Sequence, residues 1–132
     1  MSFLLDTDTC SAHIRRPTSV AHRFLQHSGR LYLSTVSLAE LYAWAYRTGA
    51  AQRLAAGIRE LIQDVEILPF DSDCAAVFGS LRPKLTTIGI AVPPMDLLIA
   101  TTALAHDLTL VTHNVADFAN IPDLRVVDWL AS

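Results

Sequence analysis

Four acidic residues stand where a carboxylate needs a reason to be. Glu40 lies in Val36–Tyr46, a helical stretch apolar on nearly every side, interrupted only by Ser37 and Glu40. A helix apolar all round is normally buried, and a buried carboxylate is costly without a cation or hydrogen-bond donors. Arg47 shares its face but lies seven residues on, roughly 10 Å along the axis, too far to pair directly. Glu40 therefore points either into a narrow solvated stripe with Ser37 and Arg47, or inward at other acids. Asp96 is the third residue of a helix opened by Pro94, where an acid in the first turn also suits the helix dipole. Asp6 closes the apolar run Phe3-Leu4-Leu5, and Asp8 suits the N-cap of the next helix. Asp117 sits in the turn-like Asn114–Phe118 segment, where it has an ordinary role as well. Each acid has a local explanation, but the set has a shared one. Asp6, Glu40, Asp96 and Asp117 match an oxygen-only cage for a hard divalent cation, Mg²⁺ first and Mn²⁺ as the alternative. Such a site activates water and neutralises charge on a phosphodiester. His13, His22, His27, His106 and His113 show none of the short His/Cys spacings of a zinc site and read as surface or core residues.

The elements that must bring these acids together are set by periodicity and punctuation. Short apolar strands are expected at Phe3–Leu5, Leu31–Ser34, Val65–Pro69, Leu108–Val111 and Arg125–Trp129. Helices are expected up to Ile14, then from Thr18 to Gln26, Thr35 to Arg47, Ala50 to Gln63, Asp71 toward Leu85, and Pro94 to His106. Pro17 and Gly49 break the pattern, and Pro83 should bend or end its helix. Strands separated by helical crossovers indicate an α/β fold, a three-layer sandwich with a mainly parallel central sheet flanked by helices. In such sheets ligands collect at the carboxyl ends of the strands. Asp6 and the segment with Thr112, Asn114 and Asp117 come directly after two of those ends, so they are expected at one edge.

The 132 residues suit one domain, 1–132, without repeats or linker-like stretches. Apolar residues reach 52% and charged residues only 17%. Together with Leu38, Leu41, Tyr42, Trp44 and Tyr46 on one short helix, that surplus suggests self-association or a partner. No apolar run is long enough to cross a bilayer. The start carries no basic segment or cleavage-like site, and Cys10 and Cys74 are isolated thiols, so a reducing cytoplasm is the expected setting. The net charge of −3 counts only weakly against a nucleic-acid partner. Two divalent ions on four carboxylates would move it by four, to +1, and nine of the ten cations are Arg, suited to phosphate.

Four blocks then resemble one family in order. Phe3-Leu-Leu-Asp-Thr-Asp8, Ser37-Leu-Ala-Glu-Leu41, Met95-Asp-Leu-Leu-Ile-Ala-Thr-Thr-Ala103 and Leu108-Thr-Leu-Val-Thr-His-Asn-Val-Ala-Asp-Phe118 are similar to the PIN-domain family, most of all its VapC branch of bacterial toxin ribonucleases. The resemblance implies that Asp6, Glu40, Asp96 and Asp117 form the metal-binding and catalytic quartet, with Asp8, Thr112 and Asn114 supporting it. It further implies RNA as substrate (tRNA or rRNA), a VapB-type antitoxin as partner, and a homodimer. Asp8 stands where the family often has Asn, and Pro93-Pro94 precede Asp96; neither removes a ligand. Two other readings remain. Asp6-Thr7-Asp8 also resembles the opening of haloacid-dehalogenase-like phosphatases, with a nucleophilic and an acid Asp, but Cys10 and the isolated Lys84 depart from that pattern. A non-catalytic PIN-like module that only binds RNA would not need a carboxylate cage.

Overall fold

The computed structural model describes residues 1–131, so only the last residue of the expected 1–132 span lies outside it. Five strands, β1 (Phe3–Leu5), β2 (Leu31–Ser34), β3 (Glu66–Leu68), β4 (Thr109–Val111) and β5 (Val126–Val127), form one parallel sheet in the order β3-β2-β1-β4-β5. Seven helices accompany them: α1 (Thr7–Arg15), α2 (Ala21–Gln26), α3 (Thr35–Arg47), α4 (Ala51–Asp64), α5 (Ser72–Ile88), α6 (Pro94–Ala105) and α7 (Val115–Phe118). Successive strand residues face opposite sides. Phe3, Leu5 and Val111 accordingly pack into one core with residues of α1 to α4, while Leu4 and Leu110 pack into a second with α5, α6 and Phe118. This is the three-layer α/β sandwich expected from the alternation of elements.

The chain leaves β1 toward β2 and β3, then returns to the other side of β1 for β4 and β5. The reversal opens a crevice between the carboxyl ends of β1 and β4, the place where open α/β sheets bind ligands. Asp6 and Thr112 are the first residues past those two strands.

Several local expectations are corrected. α5 runs through Pro83 to Ile88 and ends at Gly89, whose φ of 76° is the left-handed cap that glycine favours. Pro83 and Gly79, whose carbonyl loses its donor, are both exposed, so the missing bond falls on the solvent side of the helix. Leu81 and Leu85 keep packing into the α5–α6 core on either side of the proline, which holds the helix on course. The last strand is only Val126–Val127, and Asn114–Phe118 holds the four-residue helix α7, too short to show periodicity. α3 is not apolar all round in its setting. Ser37, expected on a solvated stripe, is fully buried, whereas Ala39, Ala43 and Tyr46 reach solvent. The surplus on this helix is mostly absorbed, because Leu38, Tyr42 and Trp44 pack against the core and only Tyr46 stands out. Cys10 and Cys74 are free and buried, as expected. Among the described residues no helix is long and apolar enough to cross a membrane.

Candidate active site

Asp6 is placed by the sheet itself. Its backbone N–H donates to the carbonyl of Val111 at 2.8 Å, tying it to the end of β4. Its side chain caps α1, with Oδ1 accepting the N–H of Thr7 at 2.8 Å. The second oxygen accepts the hydroxyl of Thr112 at 2.8 Å. Asp8, at the second position of α1, accepts the N–H of His113 at 3.1 Å. Its Oδ2 also lies 3.3 Å from the Thr112 hydroxyl, whose single proton serves the nearer Asp6. Thr112 is fully buried, and its oxygen in turn accepts the N–H of Asn114 at 3.0 Å. Asn114 then holds Asp117 through its side-chain amide.

Glu40 reaches the same place from the opposite wall. α3 starts directly after β2, capped by Ser34, whose hydroxyl accepts the N–H of Ser37 at 3.0 Å. That start presents Glu40 in its second turn, where Oε1 accepts the hydroxyl of Thr7 at 2.6 Å. Both sequence alternatives for Glu40 are thus partly met, since it joins the other acids and also borders solvent in a cleft. Asp96 comes from the first turn of α6. It makes no hydrogen bond among the described residues, so it is not held as a cap.

Asp6, Asp8, Glu40, Asp96 and Asn114 line one open cleft of about 440 Å³, together with Thr7, Ser11, Trp44 and Arg47. Asp117 stands at its border, close enough that its charge acts on Asp96. All seven residues singled out by sequence therefore converge. Thr7, Ser11 and Trp44 were not anticipated as part of the site, since a hydroxyl or an aromatic at a helix surface has no distinctive spacing. Arg47, set aside as too distant to pair with Glu40, nevertheless lines the same cleft.

The electrostatics of the cluster are adverse for an empty site. Burial, then the neighbouring charge of Asp8 and more weakly that of Asp96, push the Asp6 carboxyl up to about 7, against the pull of the Thr112 and Thr7 hydrogen bonds. Burial and the charges of Glu40, Asp117 and Asp8 raise Asp96 above the usual carboxylate range as well. None of the ion pairs among the described residues involves these five acids. An all-oxygen donor set, pre-oriented by hydroxyls and amides and lacking a cationic side chain as partner, fits a hard divalent metal.

A second group, Asp71, Cys74 and His106, brings donor atoms within 4.8 Å of one another, a juxtaposition that sequence spacing did not reveal. Asp71 is occupied there as the N-cap of α5, with Oδ1 on the Cys74 N–H at 3.0 Å. Its other oxygen stands 4.0 Å from His106 Nε2, an ion-pair separation, and burial raises the Cys74 thiol away from the thiolate a metal needs. The helix cap engages one Asp71 oxygen, and His106 Nε2 is buried without a hydrogen-bond partner among the described residues.

Comparison with known proteins agrees with this geometry. A family model described as PIN domain matches residues 3–124. The tRNA(fMet)-specific endonuclease VapC of Salmonella typhimurium is 34% identical, with 98% of each chain covered. Ribonuclease VapC2 of Haemophilus influenzae is 30% identical over 98% of this chain and 99% of its own. Among solved structures, DNA-bound VapBC from Salmonella typhimurium superposes with a TM-score of 0.92 at 34% identity, covering 98% of both chains. VapBC2 from Rickettsia felis, bound to a promoter DNA fragment, gives 0.91 at 29% identity, covering 98% of this chain and 99% of that one. The phosphatase reading of Asp6 and Asp8 is set aside, because the match spans the whole crevice and not the short opening motif alone. The chain belongs to the PIN-domain family, within its VapC group.

Proposed function

We propose that this protein is a divalent-metal-dependent endoribonuclease, the toxin of a toxin–antitoxin pair, hydrolysing phosphodiester bonds in RNA with tRNA as the leading substrate class. One observation carries the reading: four carboxylates line one open cleft at the carboxyl edge of a parallel sheet with Asp117 at its border, and none of the five enters an ion pair among the described residues. Support comes also from relatives named as a tRNA(fMet)-specific endonuclease and as ribonucleases. Asp6, Glu40, Asp96 and Asp117 would hold Mg²⁺, or Mn²⁺ in its place. When bound, the ion supplies a Lewis acid that favours water as a nucleophile and offsets charge building on the phosphate.

The chain's own residues perform the positioning. Thr112 and the first N–H of α1 fix both oxygens of Asp6, Thr7 fixes Glu40, and Asn114 fixes Asp117. Such anchoring keeps a catalytic constellation ordered before the substrate arrives. Arg47 is the one cation lining the cleft among the described residues, placed to meet a phosphate oxygen, and Trp44 offers an apolar wall beside it.

A VapB-type antitoxin partner rests on the neighbouring structures, which are VapBC complexes. A homodimer and a single domain over 1–132 complete the reading. Initiator tRNA incubated with the purified protein is expected to be cut in Mg²⁺ and left whole in EDTA. Intact tRNA and rRNA in both Mg²⁺ and Mn²⁺ would overturn the nuclease and favour the non-catalytic RNA-binding module.

A further inference from the structure

Beside the acidic cleft lies a second one, of about 490 Å³, of opposite character. Arg15 and Arg16 at the end of α1, His22 and Arg23 of α2, Ser19 between them and His113 after β4 all line it. A helix C-terminus attracts cations, which accounts for Arg15 and Arg16 standing there. It does not account for Arg23, which lines the same cleft from α2. None of the three arginines enters an ion pair among the described residues. The carboxylate at the cleft's edge, Asp128, is committed to His113 Nδ1 at 3.0 Å and to the Leu130 N–H at 2.8 Å.

The two clefts share no lining residue but are walled by neighbouring residues of the same segments. Ser11 lines the acidic one and Ala12, the next residue of α1, lines the basic one. His113 lines the basic cleft while its N–H donates to Asp8, which lines the acidic one. We propose that the Arg15–Arg16–Arg23 cleft is a phosphate-binding subsite that holds the RNA backbone flanking the bond to be cut. This rests on the ribonuclease reading of the neighbouring cleft. A polyanion repelled by five carboxylates needs a compensating cationic track, and arginine forks match phosphate oxygens. The acids select where the chain is cut, and the arginines hold the chain against them.

The test compares two double variants that lose the same charge at solvent-accessible positions: R15Q/R16Q in the cleft and R53Q/R59Q on α4, away from it. Initial rates on labelled initiator tRNA are taken in Mg²⁺ over a range of NaCl, with melting curves to verify folding. R15Q/R16Q is expected to raise KM about tenfold, the loss of roughly 1.4 kcal/mol of phosphate contact. Its log–log salt dependence should become shallower by about 1.4, two lost contacts on a single strand. R53Q/R59Q should keep both within about twofold of the parent. Equal effects from the two doubles, or none from R15Q/R16Q, would overturn the subsite. So would an unchanged KM accompanied by weakened binding of the cognate antitoxin, which would assign the cleft to that protein. Failure of the parent protein to cut tRNA is a separate result, and sinks the nuclease reading instead.

Discussion

Asp6 is a carboxylate at 6% exposure facing other acids, and its protonation must couple to folding. In the folded chain its pKa is about 7, against an ordinary 3.8. Between those values the folded protein keeps a proton that the unfolded chain has released. Stability of the metal-free protein is thus complete below about pH 4 and falls as pH rises toward 7, by roughly 4 kcal/mol if Asp6 acts alone. Melting temperatures in EDTA across about pH 4–8 should trace that fall, and Asp6→Asn should flatten it. The same variant keeps volume and an acceptor for Thr7 while losing the charge, so RNA cleavage should drop at least about a hundredfold with the fold intact. A flat parent profile would contradict the burial argument, and full cleavage by Asp6→Asn would contradict the assignment. Glu40→Gln tests the opposite wall. Removing a charge that burdens Asp96 should raise the metal-free melting temperature and shrink the gain that Mg²⁺ gives. An Mg²⁺ response equal to the parent's would remove Glu40 from the metal set.

At the scale of elements, α4 crosses α1 at Gly57, where an added Cβ would stand 2.6 Å from the Cγ2 of Ile14, a β-branched side chain with little freedom to yield. Gly57→Ala should therefore destabilise the protein by about 1–3 kcal/mol, although alanine in an open helix would gain about 1 kcal/mol. Chemical denaturation decides the sign. Such a crossing cannot be seen in a sequence, whereas other features can. Strand positions, the order of crossovers and the shared edge of Asp6 and Thr112 are legible, because apolar runs and caps are local signals. The continuation of α5 through Pro83 is not, because it depends on the solvent access of Gly79 and on Leu81 and Leu85 packing in the core shared with α6. Ser37 misleads for the same reason: a polar residue capped into a buried first turn looks in sequence like a solvated one. Thr7 escapes notice because its partner, Glu40, is 33 residues away.

For the molecule as a whole, exposed apolar side chains are spread over several elements, with Leu25 at 80% and Tyr46 at 75% exposure and Ile88 and Met95 also open. Scattered residues of this kind are tolerated singly, yet the composition is rich in apolar residues, at 52% against 17% charged. Light scattering at micromolar concentration should give twice the monomer mass of 14.4 kDa, and a monomer mass would exclude the homodimer. The strand order has a consequence in time. β1 lies at the centre of the sheet and draws its neighbour β4 from residues 109–111. Synthesis at about 5–20 residues per second separates Asp6 from Thr112 by roughly 5–20 s. Throughout that interval a growing chain has the first acid of the cluster but neither the hydroxyl that orients it nor Asp117. A nuclease built this way cannot assemble its acidic cluster until the hundred or so residues between Asp6 and Thr112 have been made.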